Sequence, residues 1–245
     1  MILGAQLYTV RSRLTNERET EQTLKEIKEI GYDSVQLFGS VELMENCAKY
    51  SREAGLSVIG ALVDMNFCEQ YESELFSLCK RYNIPDLGIS SSPHEYQNPD
   101  DYIERVHNFA KKVKAEGLTF SYHNHGHEFI KLSDGRTAMS HFLEKFNPSL
   151  VEFMPDTYWV HDGGYDVRYF LEETEGRVKI LHLKDLKRLE QGHTYSEIGN
   201  GNLCFKEILK LAENLGIEQY VVEQDVCPAD PVDSLKVSFD YLKSL

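Results

Sequence analysis

PDDYIERVHNFAKKVKAEGLTFSYHN, residues 99–124, decides how the rest of the chain is read. Pro99, followed by Asp100 and Asp101, opens a helix: proline is preset for the first helical position, and acids favour its positive end. Lysines gather toward the far end, and Gly117 supplies the residue type that closes a helix in the left-handed conformation. LTFSYHN, residues 118–124, then changes to the short β-rich apolar pattern of a strand. One helix, one glycine stop and one strand thus follow each other within a single stretch.

The same order recurs along the chain. TEQTLKEIKEIGY places Leu24, Ile27 and Ile30 on one helical face and ends at Gly31; ELMENCAKYSREAGLS ends at Gly55, and FKEILKLAENLGIEQ at Gly216. Strand-like runs lie at 2–8, 33–38, 56–62, 85–90, 118–124, 150–156, 178–185 and 219–225. Strands separated by helices must be parallel, because a tight turn cannot join a parallel pair. Eight such units predict an α/β fold, a single-domain (β/α)₈ TIM barrel spanning residues 1–245. No G-x-G-x-x-G follows the first strand to support an open dinucleotide-binding sheet, and no Pro- or Ser-rich linker divides the chain.

Composition narrows the function classes. The chain has 245 residues, 41% of them hydrophobic, and a formal net charge of −14, which disfavours a nucleic-acid groove built on clustered Lys and Arg. Cys47, Cys68, Cys79, Cys204 and Cys227 are scattered, odd in number and without a C-x-x-C pair, which suits a reducing compartment. MILGAQLYTVRSRL lacks the charged start, apolar run and cleavage site of a secretory signal, and no run approaches about 18 apolar residues. The expectation is a cytoplasmic chain without a membrane span.

In a barrel the C-terminal strand ends open on one face, where active sites are built. There the sequence offers His123, Asn124 and His125 on the fifth strand and Asp156 on the sixth. His182, Lys184 and Asp185 follow on the seventh, then Glu223 and Asp225 on the eighth. Half-buried carboxylates repel one another and require a compensating cation, and carboxylate with imidazole is a donor set for a divalent metal. Each residue also has a plainer reading: Asp156 as a helix cap, His182 as a hydrogen-bonded interior residue, Lys184 as a lysine snorkelling over the rim, HNHGHE as a polar surface turn. Gly199 and Gly201 could cradle a phosphate or simply form a turn. Alternation turns His123 and His125 to the same side.

QLYTVR at 6–11, YHNHGHEF at 122–129, PDTYW at 155–159, HLKD at 182–185, IGNGN at 198–202 and VVEQD at 221–225 together resemble the sugar phosphate isomerase/epimerase group of the xylose isomerase-like barrels. The resemblance covers essentially the whole chain. It implies one divalent cation, Mn²⁺, Co²⁺, Mg²⁺ or Zn²⁺, held by Glu128, Asp156, His182 and Glu223. Many relatives carry a glutamate where this chain has His123, which makes His123 the rival of Glu128 for the first ligand. The chain also has Asn200 in the G-N-G loop where relatives often read G-E-G, and Asp64 near a third-strand position that often holds a histidine.

The resemblance further implies a carbohydrate isomerase or epimerase that removes a proton next to a metal-polarised carbonyl. Glu223, Glu128, His125 and Lys184 are the expected catalytic groups, and His123, Gln6 and Trp159 the expected substrate contacts. Elimination from an inosose, keto-sugar or keto-glycoside is the alternative, because it needs the same ligand set. A non-catalytic sugar-binding barrel and an endonuclease IV-like repair enzyme are weaker alternatives. The expected partner is a small carbohydrate, with no nucleic acid or membrane; a homo-oligomer is left open.

Overall fold

A computed structural model describes residues 2–92 and 94–245. In chain order, β1 (Ile2–Gln6), α1 (Glu17–Ile30), β2 (Ser34–Phe38), α2 (Val41–Ala54) and β3 (Ser57–Asp64) open the fold. α3 (Met65–Gln70) and α4 (Glu72–Tyr82) lead to β4 (Asp86–Ser90), α5 (Pro99–Ala115) and β5 (Thr119–His123). α6 (Ala138–Lys145), β6 (Glu152–Met154), α7 (Thr157–Asp162), α8 (Val167–Glu173) and β7 (Ile180–Leu183) follow. A hairpin of β8 (Asp185–Arg188) and β9 (His193–Ser196) precedes α9 (Phe205–Asn214), β10 (Gln219–Val222) and α10 (Pro231–Ser244).

Local chemistry sets these boundaries. Asn16 caps α1 by accepting from the Glu19 N–H, and Ser40 caps α2 from the Leu43 N–H. Gly31 and Gly55 end those helices in the left-handed conformation, and Pro99 stands in the first turn of α5 as the sequence predicted.

Eight strands form one parallel sheet in the order β6-β5-β4-β3-β2-β1-β10-β7. Its two edges meet through the bridges Phe153↔Val178 and Asp156↔His182, so the sheet closes on itself. The seam is carried by the Phe153 N–H donating to Arg177 O at 2.7 Å and the His182 N–H donating to Pro155 O at 2.8 Å. A (β/α)₈ barrel is therefore observed, as the repeated units predicted.

All the predicted strands except the third are shorter than expected, the sixth and seventh most. The sixth ends at Met154, because Pro155 has no N–H to donate and Asp156 already caps α7. The stretch 178–185 splits at Lys184: β7 stays in the barrel, whereas β8 leaves it to pair antiparallel with β9. That hairpin was not foreseen.

The apolar residues divide into two buried clusters. The larger lies where sheet and helices meet, and the smaller, Ile59, Met154, Ile180 and Val221, plugs the barrel interior. Strand side chains alternate, so the interior positions two residues beyond Met154, Ile180 and Val221 are Asp156, His182 and Glu223. On β5 the matching pair is Ser121 and His123. The plug is thus the floor of the site. All five cysteines are free, and among the described residues no helix is long and apolar enough to cross a membrane.

Below the floor, Asp86 is buried with Ser121 Oγ donating to its Oδ1 at 2.5 Å, while among the described residues its Oδ2 has no partner. Burial, opposed by the Ser121 hydrogen bond, pushes its carboxyl from 3.8 up to about 7. Between those two values the native chain holds a proton that the unfolded chain has released, so this group makes stability fall as pH rises from about 4 to about 7. Asp86→Asn should flatten that slope, narrowing the difference in unfolding free energy between pH 5 and 7.5 by on the order of 2 kcal/mol. Urea titrations of both proteins at the two pH values measure it, and parallel slopes would reject the assignment.

Candidate active site

His123, Asp156, His182 and Glu223 come from four strand ends and meet within one sphere: one ligand atom from each lies within 4.8 Å of the others. All four are buried, Glu223 being the most exposed at 6%. Asp156 divides its carboxylate between two tasks. Oδ1 accepts from the Trp159 N–H and caps α7, while Oδ2 has only the Lys184 ammonium, 3.3 Å away. Asp156 is thus a helix cap and a member of the buried cluster at once.

Lys184 does not snorkel. It is 1% exposed, with Nζ at 2.9 Å from Asp225, 3.3 Å from Asp156 and 3.5 Å from Glu223. Burial alone would favour the neutral amine, but the three carboxylates outweigh it and hold the group as an ammonium. Burial likewise pushes the Glu223 carboxyl up, yet the charge of the neighbouring Lys184 ammonium brings it well below the usual range. Asp156 is raised, with burial prevailing over Lys184. Three carboxylates facing one ammonium leave two negative charges uncompensated.

The hydrogen-bond network assigns the His182 tautomer. The Tyr8 N–H donates to Gln6 Oε1, which fixes that amide; Gln6 Nε2 donates to Gln36 Oε1 at 2.6 Å, leaving that oxygen the acceptor for His182 Nε2 at 2.8 Å. With the proton on Nε2, the lone pair of Nδ1 faces the Glu223 Oε2 carboxylate oxygen at 2.8 Å. Two acceptors pointing at each other need a proton or a metal cation between them. His123 adds a third acceptor: its Nδ1 has no partner, and burial with His182 beside it lowers its pKa and keeps the ring neutral. Two imidazole nitrogens and two carboxylate oxygens with two charges to spare fit a divalent cation such as Zn²⁺, Co²⁺ or Mn²⁺.

Glu128 departs from the expectation for the first ligand. After β5 the chain tightens into a 3-10 turn at His127–Phe129 and carries Glu128 away from the four-residue cluster. There Tyr122 Oη and Ser91 Oγ donate to its Oε1 at 2.9 and 3.0 Å, and the His125 N–H donates to Oε2 at 2.9 Å. His123, expected to touch substrate, takes the place beside Asp156, His182 and Glu223.

A cleft of about 310 Å³ opens above the cluster. Gln6, His123, His125, Lys184, Glu223 and Asp225 line its polar side, and Tyr8, Phe38, Leu62 and Val63 its apolar side. His123 and His125 both face it, as alternation predicted, and burial brings the His125 pKa down to about 4. Trp159 stands behind this wall, 5.4 Å from the His125 ring and 5.3 Å from Lys184 Nζ, which makes it a support for two lining residues.

Asp185 does not aim at the mouth. Its carboxylate accepts from the N–H groups of Leu186, Gly199, Gly201 and Leu203 at 2.8–3.1 Å. The glycine loop is therefore an anion nest already filled from within the chain. A Cβ at residue 201 would fall on the Asp185 carboxylate, so only glycine fits there. Gln36 carried no mark in the sequence analysis; its one signal is an amide in the middle of the apolar strand SVQLF.

Lys184→Met should lower the melting temperature of the metal-free protein by on the order of 10 °C, since breaking a buried charge network costs about 3–5 kcal/mol. Added Zn²⁺ should raise that variant's melting temperature by more than it raises the wild type's. Differential scanning calorimetry reads both shifts, and an unchanged melting temperature would contradict the charge balance drawn here.

A family model described as a xylose isomerase-like TIM barrel matches residues 24–245. Among curated proteins the chain is similar to an inosose dehydratase of Mesomycoplasma hyopneumoniae (strain 7448), 25% identical over an alignment 172 residues long that covers 61% of this chain and 55% of that protein. The chain thus spans about half the length of that relative. Among solved structures it is similar to a sugar phosphate isomerase/epimerase from Parabacteroides distasonis ATCC 8503, with a TM-score of 0.83, 21% identity and coverage of 99% of this chain and 93% of that one. A 3-keto-D-glucoside 4-epimerase from E. coli gives a TM-score of 0.70 and 16% identity, over 100% of both chains. At these identities the two structures show a shared fold. With the closed barrel, and the family match over nearly its whole length, the chain belongs to the xylose isomerase-like TIM barrel family.

Proposed function

We propose that the chain is a divalent-metal-dependent enzyme that moves a proton next to the carbonyl of a neutral carbohydrate, as an isomerase or epimerase. The observation that carries this reading is the buried convergence of His123, Asp156, His182 and Glu223 at the floor of an open cleft. A cation held there would polarise a carbonyl and its neighbouring hydroxyl and so ease removal of the carbon-bound proton between them.

The chain's own groups supply the remainder. Glu223, anionic and lining the cleft, accepts the carbon-bound proton on the β10 side. The Lys184 ammonium stabilises negative charge that develops on the substrate oxygen. His125 and Gln6 hold substrate hydroxyls from the β5 and β1 sides, and Tyr8, Phe38, Leu62 and Val63 exclude water from the opposite wall. Glu128 has no part in proton transfer in this reading, because its carboxylate is occupied outside the cleft.

The substrate is unphosphorylated. Lys184 is the one Lys or Arg among the residues lining the cleft, it is engaged by three carboxylates, and the N–H groups of Gly199 and Gly201 are taken by Asp185. Elimination of water is the second reading, favoured by the similarity to an inosose dehydratase. The two readings share proton removal and differ in whether a neighbouring carbon–oxygen bond then breaks.

Incubating the Zn²⁺-loaded protein in D₂O with ketoses, inososes and 3-keto-glycosides, followed by NMR, should show deuterium entering next to the carbonyl of one class. Chelation should abolish the exchange and restored metal should return it. Glu223→Gln should lower it at least 100-fold with the fold intact. Exchange that survives in metal-free protein would end this reading, and loss of water from the product would select the elimination.

A further inference from the structure

A second group of metal-type ligands lies just beyond the first. His125, His127 and Glu128 each offer one ligand atom within 4.8 Å of the other two. Sequence spacing does not require this. The 3-10 turn at His127–Phe129 folds the three side chains together under the end of β5.

Glu128 is fully buried, and its three donors, Tyr122 Oη, Ser91 Oγ and the His125 N–H, are all neutral. Among the described residues no Lys or Arg ion-pairs with it; the group beside it that could carry a positive charge is His127, whose Nε2 lies 3.6 Å from Oε2. Lys184 answers the carboxylates of the first cluster, but no lysine answers this one. His127 Nε2 and His125 Nδ1 are both buried and have no hydrogen-bond partner among the described residues. A buried carboxyl without a counter-charge, beside two unpartnered imidazole nitrogens, presents a site of three groups able to donate lone pairs to a cation.

The rings are held in place before any ion arrives. His127 is stacked between Tyr96, at 5.5 Å and 11°, and His125, at 5.1 Å and 25°. His125 in turn meets the Trp159 ring at 5.4 Å and 74°. Two imidazoles and one carboxylate favour a borderline cation such as Zn²⁺ over Mg²⁺, and three protein ligands leave a tetrahedral ion one position for water or substrate.

We propose that His125, His127 and Glu128 form a second divalent-metal site, selective for Zn²⁺ over Mg²⁺ and separate from the cluster at Asp156. Because His125 also lines the cleft, this site shares a wall with the first. It does not depend on the reaction proposed above.

Metal content after loading with Zn²⁺ and gel filtration tests the site directly. Wild type should retain two Zn²⁺ per chain. His127→Phe, which keeps the ring stack on Tyr96, and Glu128→Gln, which keeps the shape of the buried side chain, should each retain one. His182→Gln should also retain one, and His127→Phe combined with His182→Gln none; Mg²⁺ loading should leave the second site empty. Circular dichroism confirms that each variant is folded. If His127→Phe and Glu128→Gln both keep the wild-type metal content, whether one ion or two, the second site is refuted. If wild type holds one ion that only these two variants lose, this site stands and the reading of the first cluster fails.

Discussion

Side-chain alternation in a closed parallel barrel is the constraint on which the site depends. Once the Asp156↔His182 bridge seals β6 against β7, every interior position has a fixed height, and a slip of one residue would turn it to the outside. Ile59, Met154, Ile180 and Val221 fill one level of the interior. Asp156, His182 and Glu223 follow at the next because they lie two residues further along their strands. The apolar plug holds the acidic layer at the mouth, and one of the two bridges that close the barrel joins two residues of the site.

That layer was largely legible in the sequence, because strand alternation and strand-end position are local properties. Asp156, His182 and Glu223 could be named from ordinary β-patterns with polar residues at their ends. The fourth member of the cluster was not legible. His123 and Glu128 are five residues apart, and spacing does not reveal that a 3-10 turn sends Glu128 behind the wall to meet Tyr122 and Ser91. Side-chain chemistry favoured Glu128; backbone geometry places His123 in the cluster.

Lys184 and Gln36 show a different limit. A lysine at a barrel rim ordinarily lays its stem on the surface and keeps its charge in water. This one is buried because three carboxylates converge on it from two separate stretches of chain, after β6 and after β10, and only the closed barrel brings those stretches together. Gln36 orients His182 through an amide relay that begins at Tyr8, a contact set by the Gln6↔Gln36 strand register. The β8–β9 hairpin escaped notice because residues 178–185 carry one continuous strand-like pattern, and the break at Lys184 follows from Asp185 turning into the glycine nest.

The buried ammonium of Lys184 also bears on how the protein comes into being. Many small metalloproteins stay unfolded until their ion arrives, because nothing else neutralises the ligands. Here the polypeptide brings an internal cation of its own to the acidic centre, and a large apolar core stands apart from it. Folding can therefore precede any loading, and an ion taken up by this centre would enter a finished scaffold in place of rescuing a misfolded chain.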